Sequence, residues 1–190
     1  MAYTLKDVFY LDTSADVTAA TAGSGTAQLD LSAYIDPIAR GRTKGTGLAV
    51  YRAHFMVSED ATGEPIAAGE TGTLRAAMLA GAGLGDTATG AGPGLTGATF
   101  SAANNLMVAA YDFYGPKSMV ANANTTATMY NDLIAPSDEV PYVIVRDNVC
   151  LVYDVGANFA TDHILSVRLE CAQITLDQAT LNQLLRTQTV

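Results

Sequence analysis

Tryptophan is absent from this chain, and the residues that carry most enzyme chemistry are scarce. Its 190 residues include two histidines, His54 and His163, and two cysteines, Cys150 and Cys171. Neither pair has the spacing of a metal site: there is no CxxC, no HExxH and no Cys/His cluster. A four-ligand zinc site would need all four residues or recruited carboxylates. No catalytic, cofactor-binding or metal-ligating residue is nominated, and the chain is expected not to be an enzyme. Charged residues make up only 15% of the chain, against roughly 25% in ordinary globular proteins. That excludes a charged disordered tail, a coiled coil and a long solvated helix. Lys and Arg are outnumbered and the net charge is −9, so no specific nucleic-acid site is expected. No window approaches the roughly 18 consecutive apolar residues of a spanning helix, and no membrane span is expected. The opening MAYTLKDVFYLDTS has neither a basic region nor an apolar run. No signal peptide is therefore expected, and synthesis is expected in the cytoplasm.

What is present is a series of short strand patterns. Residues 3–11 are aromatic and β-branched enough for a strand, and the small polar residues 12–25 read as a loop. In 26–34, Leu29, Leu31 and Ala33 alternate with Gln28, Asp30 and Ser32, the period of a strand with one buried face. Residues 40–47 read as a basic, glycine-rich turn. In 47–57, Ala49, Tyr51, Ala53, Phe55 and Val57 are expected in the core, with Arg52 and His54 outward. Residues 73–80, bracketed by Gly72 and Gly81, read as a strand, and so do residues 104–115. Residues 117–130 are mixed and 131–141 read as loop. Strands at 141–147 and 149–155 flank Asp147-Asn148, whose tolerance of positive φ predicts a hairpin tip. In 163–174, Leu165, Val167, Leu169 and Cys171 share one face, and Ser166, Arg168 and Glu170 the other. The tail 175–188 predicts a helix with Thr175 and Gln178 as a capping box. Leu176, Leu181, Leu184 and Leu185 form its apolar face, which is expected to dock on its own domain or on a neighbour.

The remaining constellations carry little chemistry. Gly81, Gly83 and Gly85, then Gly90, Gly92 and Gly94, fit neither a phosphate-binding loop nor a dinucleotide fingerprint. The nearly uncharged loop 81–99 is expected to pack against something. Arg40, Arg42 and Lys44 read as a solvated basic turn. Glu59, Asp60, Glu64 and Glu70 lack the register of a calcium loop and read as a solvated face. Asp162 and His163 are adjacent, and neighbours on a strand point to opposite faces, which speaks against a triad. Arg52 and His54 read as contact residues. Asn124-Thr125-Thr126 is a glycosylation sequon, expected to be idle without a signal sequence. Cys150 and Cys171 read as small buried hydrophobes. A disulfide between them would need neighbouring strands.

About eight strands, one C-terminal helix and no repeating β-helix-β pattern predict a mainly β chain. The expected fold is an antiparallel β-sandwich or single jelly roll with a short C-terminal helix, one domain over 1–190. In length, strand count and composition the chain resembles the single jelly-roll capsid (coat) proteins of icosahedral viruses. The resemblance implies a structural, self-assembling protein of the virion. Its partners would be copies of itself and possibly other coat proteins, without a cofactor. The alternative expectation is a soluble ligand- or carbohydrate-binding β-sandwich, for which Tyr111, Phe113 and Tyr114 are the candidate exposed aromatics.

Overall fold

The computed structural model describes residues 7–21, 23–36, 44–66, 70–81, 99–115 and 129–188. Within these lie β1 (Val8–Val17), β2 (Ser24–Asp30), β3 (Lys44–Glu59), β4 (Thr73–Ala80), β5 (Met107–Tyr114), β6 (Met129–Ile134), β7 (Tyr142–Ile144), β8 (Asn148–Ala157), β9 (His163–Asp177) and α1 (Gln178–Thr187). The pairings are nested: β1 with β9, β2 with β8, β3 with β7 and β4 with β5, all antiparallel. That is one long hairpin ribbon made of every described strand but β6. Rolling the ribbon up adds β3–β9 and β4–β8. Two sheets result, ordered β1-β9-β3-β7 and β2-β8-β4-β5-β6. The chain is a single jelly roll, with β6 appended to the free side of β5.

The main core lies between the sheets, where each strand turns one side of its pleat inward. β4, β5 and β8 are buried on both sides, and Ala77, Leu79, Met107, Ala110, Cys150 and Val152 form a second apolar cluster apart from it. Leu165, Val167, Leu169 and Cys171 of β9 face inward as their alternation predicts, all at most 1% exposed. Opposite them lie Leu74, Ala76 and Met78 of β4 and Val149 and Leu151 of β8. Phe55 and Tyr111 stack across the interior, 5.2 Å apart and 7° from parallel.

β3 reverses its own alternation. Leu48 and Val50 enter the core from even positions, whereas Ala53, Phe55 and Val57 enter from odd ones. The ladder with β9 places Val50 opposite Cys171 and Arg52 opposite Glu170, leaving Tyr51 as an extra residue. One inserted residue turns every later side chain to the other face. Ala49 is therefore buried on the outward side, and Tyr51 is only half-buried.

Four further expectations are corrected. β1 runs to Val17 through the polar residues read as loop, because β9 supplies a ladder along its whole length. β2 ends at Asp30, and Ala33 is exposed in the turn that follows. Asp147-Asn148 is not a hairpin tip: β7 pairs with β3 and β8 with β2 and β4, so this turn carries the chain from one sheet to the other. β6 stands where mixed sequence and loop were expected.

The helix also starts later than its capping-box pattern suggests. Thr175 and Leu176 still pair with Thr46 and Gly45 in the β3–β9 ladder. Asp177 is the N-cap, its Oδ1 accepting the Thr180 N–H at 2.8 Å. The helix docks on its own sandwich: Leu181 is 0% exposed and Leu184 and Leu185 are half-buried. A Cβ on Gly45 would sit 2.7 Å from Leu181, and one on Gly47 would sit 2.9 Å from Leu176. These two glycines let the leucines approach the backbone of β3.

Candidate functional site

Three side-chain clusters stand apart from the apolar core. The first lies on the outward face of the β1-β9-β3-β7 sheet. Arg52 and His54 project there from β3, and Arg168 and Glu170 from β9. His54 Nε2 lies 3.1 Å from Glu170 Oε1, and Arg52 Nη2 lies 3.2 Å from Asp138 Oδ2. The Arg168 guanidinium sits 5.9 Å from the centre of the Tyr10 ring. Tyr10 and Met56 are exposed at 58% and 60%. This face holds a shallow concavity bordered by Tyr10, Asp12, His54, Met56, Arg168 and Glu170. Exposed ion pairs of this kind each contribute about 0–1 kcal/mol. The cluster is an exposed, mixed-charge patch, and Arg52 and His54 point outward as their alternation predicts.

The second cluster is buried. Glu70, expected on a solvated acidic face, is 3% exposed. Its Oε1 accepts the N–H groups of Thr71 and Gly72, both at 2.7 Å, and both oxygens lie 3.1 Å from Ala160 N. His163, 2% exposed, faces it with Nε2 at 4.0 Å from Oε2. His163 Nδ1 lies 2.7 Å from the Thr161 carbonyl. A carbonyl can only accept, so Nδ1 carries the proton of that bond. The ring packs on Phe159 at 4.7 Å, and Phe159 in turn stacks on Phe113. Gly72 leaves room for Phe159, whose ring occupies the place a Cβ would take. Asp162 points away, its carboxylate accepting Ala19 N–H at 2.7 Å. Asp162 and His163 therefore form no dyad, and the carboxylate beside His163 is Glu70. With both side chains buried, this node offers a substrate no approach; it fastens the loop before β4 to the loop before β9.

The third cluster is a cross-strand pair on the outward face of the other sheet. Arg75 of β4 stands directly opposite Asp112 of β5. Its Nε and Nη2 donate to the two carboxylate oxygens at 2.6 and 2.7 Å. Asp112 is 4% exposed, and Tyr114 Oη lies 3.4 Å from Oδ2. The bidentate bond to Asp112 raises the Arg75 pKa further above its usual value.

The other candidates do not converge. Glu59 accepts from the Thr62 hydroxyl, and Asp60 and Glu64 are exposed. Among the described residues no three His, Cys, Asp or Glu side chains gather as a metal would require. Cys150 and Cys171 are free and buried, on β8 and β9 of different sheets. Burial pushes their thiols up to about 11 and about 12, with Glu170 adding to the shift at Cys171. Of the proposed aromatic platform, Tyr111 and Phe113 are 2% and 0% exposed and belong to the core, and Tyr114 is half-buried. Lys44 is exposed in β3, while Arg40, Arg42, most of the glycine loop and Asn124 lie outside the described residues. No described helix is long and apolar enough to cross a membrane. No protein-family model matches this chain, and no curated protein matches it.

Proposed function

We propose that this chain is a structural protein that assembles with copies of itself into a closed shell, as a viral capsid subunit does. The observation that carries the reading is the strand order, β1-β9-β3-β7 against β2-β8-β4-β5-β6. Jelly rolls of this kind serve capsids, lectins and cupins. A lectin-like reading draws on exposed aromatics, and Tyr111 and Phe113 are in the core. A cupin-like reading draws on inward-facing histidines, and the interior holds His163 against Glu70 and Phe159. A subunit role needs none of these. It asks for a rigid sandwich with contact surfaces, which Tyr10, Arg52, His54 and Met56 supply on one face. In this reading the chain belongs to the virion, alone or with a second coat protein. Analytical ultracentrifugation and electron microscopy of the full chain test it. Particles of megadalton size support the proposal. A monomer at every concentration and salt level, with and without candidate coat partners, overturns it.

A further inference from the structure

Edge strands present unpaired backbone groups, and folded proteins usually blunt them. β7, one edge of its sheet, is three residues long and is capped by Gln188. β1, the opposite edge, is ten residues long, with no proline, no lysine and no break in its register with β9. Which of its backbone groups have no partner among the described residues can be worked out. Asp60 N donates to Asp162 O at 3.0 Å, one step beyond the Glu59–His163 pair. Antiparallel pairs alternate between bonded and non-bonded, so the even residues of β9 bond β3 and its odd residues bond β1. The partners of those odd residues are Phe9, Leu11, Thr13, Ala15 and Val17. Val8, Tyr10, Asp12 and Ser14 therefore turn their N–H and C=O groups away from β9, to an edge on which no described strand pairs with them. Asp16 confirms the parity: its carbonyl also points away from β9 and accepts the Tyr153 hydroxyl at 2.6 Å.

We infer that this edge pairs antiparallel with β1 of a second copy, about a twofold axis through Leu11. Three observations select the partner and the register. The free stretch, Val8 to Ser14, is symmetric about Leu11. That register sets Val8 against Ser14 and Tyr10 against Asp12, twice each, and satisfies all four residues with about eight backbone bonds. Centring on Asp12 instead would oppose two like charges and would call on Asp16, already bonded to Tyr153. On the inner face the two half-buried Leu11 side chains meet at the axis, continuing the apolar interior from one copy to the next. On the outer face Val8 and Tyr10, 48% and 58% exposed, come against the partner's strand. The interface serves the self-association proposed above and rests on that reading only in taking a second copy as partner.

A disulfide and a backbone block test the register. At a non-bonded antiparallel pair opposite Cα atoms lie about 4.5 Å apart, within the usual disulfide range. Leu11→Cys is expected to form a covalent dimer under mild oxidation at least tenfold faster than Ser14→Cys, whose two copies are distant in this register. Equal rates overturn the inference, as does any other occupant that keeps the two Leu11 positions apart. Should Leu11→Cys fold poorly, Phe9→Cys mixed with Thr13→Cys reads the same register as a heterodimer. Asp12→Pro removes an edge N–H that β9 does not use. It is expected to stay folded by circular dichroism and to lose the dimer, whereas Asp12→Asn keeps it. A dimer retained in Asp12→Pro overturns the pairing. The two proposals fail separately: particles formed by Asp12→Pro leave the shell standing and remove the edge interface, whereas a Leu11→Cys cross-link in a protein that never exceeds a dimer does the reverse.

Discussion

Gln188 completes the edge of β7 with its side chain: Nε2 donates to the Val143 carbonyl at 2.6 Å, and Oε1 lies 3.2 Å from the Val145 N–H. One primary amide thus does what a further strand would do. Gln188 is 3% exposed, held by the turn after α1, where its own N–H donates to the Leu184 carbonyl at 2.9 Å. Replacing it leaves the buried Val145 N–H and the part-buried Val143 carbonyl without this partner, a loss of about 1–3 kcal/mol. Gln188→Ala is expected to lower the urea midpoint by that measure at unchanged m-value. Gln188→Glu is expected to fall between, because a carboxylate accepts from Val145 but cannot donate to Val143. A chain ending at Asp177 loses Leu181 as well and is expected to fail to fold stably, not merely to stop assembling. A truncated chain as stable as the full one would show α1 to be dispensable to the sandwich.

Glu70 gives a sharper case, since its carboxylate is met by N–H groups of Thr71, Gly72 and Ala160. All are donors: the three lie within 3.1 Å of Oε1, and Ala160 N is also 3.1 Å from Oε2. Glu70→Gln keeps the shape but replaces Oε2 with an amide NH2, a donor set against the Ala160 N–H. It is expected to cost about 2–3 kcal/mol, the range for hydrogen bonds to a buried charged group. Hydrogen exchange at Gly72 and Ala160 is expected to accelerate in the same variant. A midpoint within error of the parent would mean that the loops are fastened by Phe159 alone.

The limits of sequence reading follow from the same contacts. β9 was legible because Leu165 to Cys171 alternate strictly, β1 pairs with them without a break, and the one shift against β3 is an extra residue in β3 rather than in β9. β4 was legible because Gly72 and Gly81 bracket it. The bulge at Tyr51 left no local mark, since it is defined by how β9 lies alongside. Asp147-Asn148 has the same turn chemistry whether the flanking strands pair with each other or part to different sheets. Asp177 and Thr175 are both competent caps, and it is the pairing of Thr175 with Thr46 that decides between them. Met129–Ile134 carries Asn131 and Asp132 at its centre, which read as turn, and only β5 alongside makes it a strand. Glu70 lies among glycines and other acids, so its burial beside His163 had no signal short of the folded structure.

Arg75 and Asp112 supply a test of the outward side of the β2-β8-β4-β5-β6 sheet. Asp112 is buried and Arg75 is about half exposed. Removing the guanidinium therefore strands a carboxylate that cannot reach water easily. Arg75→Ala is expected to cost about 2–3 kcal/mol, less than for a fully buried pair because the arginine end is solvated. Arg75→Lys is expected to recover only part of the loss, since an ammonium cannot bond both oxygens in the fork geometry. The double variant Arg75→Ala with Asp112→Ala is expected to be more stable than Arg75→Ala alone. Additive losses in that double-mutant cycle would show that the two residues do not act as a pair.

The buried thiols set the behaviour of the fold in alkali. Folding holds Cys150 and Cys171 neutral by raising their pKa values from 9 to about 11 and about 12. An acid whose folded pKa is raised contributes its stability below the unfolded value and loses it as pH climbs toward the folded one. Between pH 9 and 11 the unfolded chain releases these protons and the folded chain keeps them. Stability is therefore expected to fall by up to about 1.4 kcal/mol per pH unit for each thiol. Tyr142, also raised by burial to about 12 from 10, steepens the decline above pH 10. Urea titrations at pH 8, 9.5 and 10.5 read the slope directly, and Cys150→Ala with Cys171→Ala is expected to flatten its lower part. At pH 8 both thiols are expected to resist a soluble disulfide reagent until urea unfolds the chain. Rapid labelling of either in the native protein, or an alkaline slope unchanged in the double variant, would place the two cysteines outside the sealed core.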